Sequence, residues 1–79
     1  MNPTVFREAK LRFHFFSREE TRMHVHVTSP DGEAKFWLEP VVELAQSYRF
    51  SQAQIKQIQS TIEANYGELC AAWRRHFGT

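Results

Sequence analysis

His24 and His26 stand one residue apart in MHVHV, residues 23–27, and His14 precedes them in LRFHFF, residues 11–16. Imidazole exchanges a proton near neutrality and, when neutral, ligates zinc, iron, nickel or copper. His14, His24 and His26 are therefore the candidate metal ligands. Glu8, Glu20 and Glu39 are the carboxylates available to orient them, but no spacing in the sequence ties one of them to the histidines. Any solvated strand can carry alternate histidines, so the spacing alone does not specify a metal. Proton transfer needs a nucleophile, an oxyanion donor set or a paired carboxylate beside the imidazole, and none accompanies it. Ser17, Thr28 and Ser29 fit turns and strand ends, and the isolated Gly32, Gly67 and Gly78 form no phosphate loop. These absences favour a non-enzymatic role without a cofactor.

Cations and an indole surround the same histidines. Arg12, Arg22 and Lys35 could contact phosphates while His24, His26 and Trp37 offer stacking and hydrogen-bonding surfaces, which is the chemistry of a nucleic-acid face. WRRHF, residues 73–77, adds Arg74 and Arg75, although cations in a last helical turn equally suit the helix dipole. Ten basic against nine acidic residues leave a net charge of +1, so no bulk charge drives the chain towards nucleic acid or an anionic membrane.

The elements that position these residues follow from periodicity. Leu11, Phe13 and Phe15 alternate with Arg12 and His14, and Met23, Val25 and Val27 alternate with Arg22, His24 and His26, which predicts two half-buried strands. SREET, residues 17–21, connects them as an antiparallel hairpin. Residues directly opposite share a face, so burying Phe13 with Val25 and Val27 requires odd-numbered residues to meet odd-numbered ones. His14, His24 and His26 then share the other face, exposed or covered by a partner.

SPDG, residues 29–32, is the strongest turn, with Pro30 supplying a preset φ and Gly32 closing it. It leads into a third strand, EAKFWL, with Ala34, Phe36 and Leu38 on the core side and Lys35 and Trp37 opposite. TVFRE, residues 4–8, adds a short edge strand. PVVELAQSY, residues 40–48, has two readings: a helix from Pro40 lined by Val41, Leu44, Ala45 and Tyr48, or a continuation of the sheet. Ser51 and Gln54 have the spacing of a capping box. Ile55, Ile58, Ile62, Tyr66, Leu69, Trp73 and Phe77 then form one apolar stripe.

An unbroken helix over that stripe would be about 37 Å long, more than a small sheet covers. Gly67 is the position at which it would bend. The expected architecture is α+β: a three- or four-stranded antiparallel sheet packed on one face by a long C-terminal helix. It forms one domain over 1–79, with strands and turns to residue 50 and the helix over 51–77. Tyr66, Leu69, Trp73 and Phe77 supply more apolar surface than one thin core hides. The leading reading is accordingly a protein-interaction module that binds itself or a small protein partner.

Composition supports a folded chain, with 42% hydrophobic and 14% aromatic residues in 79. Cys70 is the single cysteine, which excludes an internal disulfide and fits a buried thiol in the cytoplasm. No apolar run approaches a membrane span and MNPTVFREAK has no leader-like segment, so no membrane association is expected.

NPTVFRE, FHFFSREETRMHVHV, DGEAKFWLEP, FSQAQIKQIQ and AAWRRHF together make the chain resemble, over nearly its full length, the small prokaryotic family of domain of unknown function 4160. Many members carry two prolines before the first histidine, where Arg22 and Met23 stand here. The resemblance implies no particular reaction. It implies recurrent positions at His24, His26, Asp31, Gly32, Phe36 and Trp73, a strand-like path around Val41 to Ala45, and for some members a toxin–antitoxin context.

Overall fold

Alternation of apolar and polar residues carries the N-terminal half into a meander. The computed structural model describes residues 4–16 and 22–78. Within them five strands, β1 (Thr4–Glu8), β2 (Leu11–His14), β3 (His24–Ser29), β4 (Gly32–Trp37) and β5 (Glu43–Tyr48), form one antiparallel sheet in sequence order. Phe13 pairs with Val27 and His14 with His26, the odd-with-odd register that core burial demands. The SREET connection lies outside the described residues.

Two-residue turns set the β1–β2 and β3–β4 hairpins. Ala9, between β1 and β2, takes the left-handed region at φ 54. Pro30 and Asp31 join the last β3–β4 pair, Ser29 with Gly32, and the Asp31 amide donates to Ser29 Oγ at 3.0 Å. A Cβ on Gly32 would collide with the Tyr48 carbonyl, so this glycine lets the end of β5 lie directly on the turn.

The sheet thus has five strands, not three or four: TVFRE forms one edge and ELAQSY the other. The helical reading of residues 40–48 fails at its start. Glu39, which would have to cap that helix, instead accepts the Met23 amide on Oε1 at 2.9 Å. The chain then extends and gains its backbone hydrogen bonds from β4.

The C-terminal segment is two helices rather than one, α1 (Gln52–Ala64) and α2 (Tyr66–Phe77). The capping box opens α1: Ser51 Oγ accepts the Gln54 amide at 3.1 Å, and Gln54 Oε1 accepts the Ser51 amide at 2.7 Å. The break falls at Asn65, not at Gly67. Asn65 leaves helical geometry at φ −117 and ψ 22, and its side-chain amide donates to the Thr61 carbonyl at 2.8 Å. A short amide side chain competing for backbone acceptors is what weakens asparagine inside helices. Gly67 lies within α2. Gly78 ends α2 at φ 72, its amide donating to the Arg74 carbonyl at 2.8 Å.

Because the stripe is broken, both helices serve one core. Ile58, Ile62, Leu69, Cys70 and Trp73 join Phe13, Phe15, Val25, Val27, Phe36 and Leu38 in a single buried cluster. The expected surplus of apolar helix is largely absorbed by the chain's own sheet. No helix among the described residues is long and apolar enough to cross a membrane.

Candidate functional site

The face away from the core gathers the predicted residues. Across it His14 opposes His26, His26 opposes Lys35, and His24 opposes Trp37, while Arg12 sits beside them on β2 opposite Thr28. Ring centroids lie 5.8 Å apart for His14 and His26, and 5.1 Å for His24 and His26. Three imidazoles are therefore brought together as parity requires.

The strand pattern leaves this face exposed or covered by a partner, whereas the chain itself buries most of it. His14 and His24 are 1% and 0% exposed, and only His26 is half-buried. The β2–β3 pairing ends at His14 and His26, and Trp73 of α2 packs where the strands stop matching. Its indole lies 5.1 Å from His24 and 5.2 Å from Phe15. Phe16 covers the other end, 4.2 Å from His26 and 5.2 Å from His14. Trp37 closes His24 from β4 at 5.6 Å.

His24 Nδ1 lies 2.7 Å from the Arg22 carbonyl. A carbonyl only accepts, so Nδ1 carries the proton. His14 Nε2 lies 3.4 Å from Thr28 Oγ1. Among the described residues no group of three or more His, Cys, Asp or Glu side chains is arranged to hold a metal ion. The rings of His14, His24 and His26 pack against one another and against Phe16, Trp37 and Trp73.

The cations are also engaged. Arg22 Cζ lies 4.0 Å and Lys35 Nζ 4.4 Å from the Trp37 ring centroid, two cation–π contacts on one indole. Arg22 Nε donates to the Glu39 carbonyl at 3.0 Å, and its Nη2 reaches Glu43 Oε1 at 3.9 Å. That exposed ion pair contributes little to stability but ties the entrance of β3 to β5. Beside Lys35, a half-open groove of about 460 Å³ runs over the outer face, lined by Phe16, His26, Thr28, Gln46 and Tyr48.

The candidate partner-binding stripe divides. Leu69 and Trp73 are buried in the core, and Phe77 is half-buried against Trp73 at 4.1 Å. Tyr66 stays at the margin, where its hydroxyl donates to the Leu38 carbonyl at 2.6 Å. The Cys70 side chain hydrogen-bonded to this phenol, then its partial burial, raise its pKa above the ordinary tyrosine value.

Among the described residues the most exposed large apolar side chains lie elsewhere, on and beside β5. Val41 is 62% exposed, Leu44 38% and Tyr48 63%. The pairing of Lys35 with Gln46 and of Phe36 with Leu44 leaves Ala45 as a bulge. β5 pairs with β4 on one side and ends the sheet on the other. The signal for this surface was present in PVVELAQSY, whose apolar residues satisfied neither periodicity cleanly because the bulge interrupts the alternation.

The family model described as domain of unknown function (DUF4160) matches residues 11–74, and the chain belongs to that family. No curated protein and no solved structure matches it significantly.

Proposed function

We propose that this DUF4160 protein is a small protein-interaction module that receives a partner strand along β5. The exposed β5 edge carries the proposal. Folded proteins guard sheet edges with lysines, prolines, bulges or covering segments, because the outward backbone groups of an edge strand can pair with another chain. β5 has a bulge and Glu43, yet it also presents Leu44 and Tyr48, with Val41 just before it. An added strand would satisfy the outward backbone groups and bury these side chains, as in β-augmentation. A component of a toxin–antitoxin pair, which acts by binding its cognate protein, fits such a surface.

The test is recovery of the native complex with the unaltered protein and with Leu44→Lys and Tyr48→Lys. The proposal expects a stoichiometric partner, or self-association, that both substitutions weaken. A monomer that captures nothing, or a complex indifferent to both changes, contradicts it.

The groove favours a second reading, contact with single-stranded nucleic acid. Phe16 and Tyr48 are exposed aromatics beside Lys35 and His26, the combination on which unstacked bases can rest. Binding of short single strands that weakens with salt and with Tyr48→Ala would support it, and no binding at low salt would remove it.

A further inference from the structure

We propose that the occupant of the β5 edge is the β5 strand of a second copy, paired antiparallel about a two-fold axis between Ala45 and Gln46. The inference rests on the reading of β5 as a docking strand and names its partner.

Opposing residues in an antiparallel pair share a face, so the β4–β5 register assigns the sides of β5. Glu43, Gln46 and Tyr48 oppose Trp37, Lys35 and Glu33 and lie on the outer face. Leu44 and Ser47 oppose Phe36 and Ala34 and lie on the helix face. A two-fold axis normal to the sheet keeps both helix layers on one side. The flanking pairs must then match helix-face with helix-face residues and outer with outer.

The bulge makes the strand read alike from both ends. Pairing Glu43 with Tyr48 of the second copy, Leu44 with Ser47 and Ala45 with Gln46 matches the assigned faces in both flanking pairs. Sliding one copy by a single residue sets Leu44, on the helix face, against Gln46 or Tyr48, on the outer face. The bulge therefore rules out a single-residue slide of this register.

That register is also matched in chemistry. Glu43 is the only charged residue in β5, and the pairing holds the two copies of it about 17 Å apart along the strand, so no like charges meet. Each Glu43 faces a Tyr48 hydroxyl, a donor for its carboxylate. Leu44 packs over Ser47 at the margin of the helix layer, and the result is a continuous ten-stranded sheet. The pairing uses only a strand edge, so the dimer forms weakly and responds to concentration.

Sedimentation velocity on the full chain, from low to high micromolar concentration, reads the association. Oxidation of a Leu44→Cys/Ser47→Cys double variant reads the register, because those positions meet across the axis. Leu44→Cys alone places its two thiols too far apart to bridge, and the unaltered chain controls for buried Cys70. The expected results are a concentration-dependent dimer, a covalent dimer from the double variant only, and loss of the dimer in Tyr48→Lys with unchanged circular dichroism. A dimer that neither crosslinks nor responds to Tyr48→Lys overturns this register. A strict monomer overturns self-pairing, and a β5-dependent heterologous partner found with that monomer would still leave the docking-strand reading standing.

Discussion

The indole of Trp73 lies 5.1 Å from the imidazole of His24, joining the last turns of α2 to the first residue of β3. Both side chains are buried, and Trp73 also meets Phe15 at 5.2 Å. One indole thus fills the place where the β2–β3 ladder stops. Trp73→Ala should cost about 3 to 5 kcal/mol, the range for removing a buried tryptophan. Denaturant unfolding of the variant measures it. A cost under about 1 kcal/mol would mean that the ring is not a core residue.

Gly32 supports the far end of β5. Gly32→Ala sets a Cβ against the Tyr48 carbonyl, so the β3–β4 turn or β5 must shift. The expected loss is about 1 to 3 kcal/mol, with faster amide exchange along β5 than along β2 or β3. Uniformly faster exchange across the sheet would place the damage elsewhere.

Ala9 gives the opposite sign. Its φ of 54 costs an alanine about 1 kcal/mol that glycine does not incur, offset in part by the greater freedom glycine has when unfolded. Ala9→Gly is expected to raise the unfolding midpoint modestly while leaving association unchanged, since β1 and β5 are opposite edges. A lowered midpoint would contradict the strained turn.

Tyr66 predicts a response to alkali. A pKa raised in the folded state means that the protonated phenol is favoured by folding. The stabilisation is fully present below the unfolded tyrosine pKa of about 10 and is lost as pH rises through the higher folded value. Tyr66→Phe removes the hydrogen bond to Leu38, which is worth about 0.5 to 1.5 kcal/mol at neutral pH. It should also flatten the fall in stability above pH 10. Chemical denaturation at neutral and alkaline pH, compared between the two proteins, tests both effects.

The parts of the fold legible in the sequence were those governed by one local rule. Alternation in LRFHFF and MHVHV fixed the odd-with-odd register, and Ser51 with Gln54 marked the start of α1. The rest depended on competition between partners. Asn65 broke the helical stripe because its amide takes the Thr61 carbonyl, whereas glycine at position 67 carries only a propensity cost and stays helical. β5 was ambiguous because its bulge disrupts the period of two, and its pairing with β4 decided the outcome. The histidine face was placed correctly by parity. Its burial was not legible, because no local pattern shows Trp73 reaching His24 from the far end of the chain.

Amide hydrogen exchange along the sheet tests the docking role of β5 most directly. In associated protein, whether concentrated or held in its recovered complex, Glu43–Tyr48 should gain protection while the β1 edge, Thr4–Glu8, exchanges as in the free chain. Unchanged exchange along β5, or new protection confined to another surface, would contradict the account.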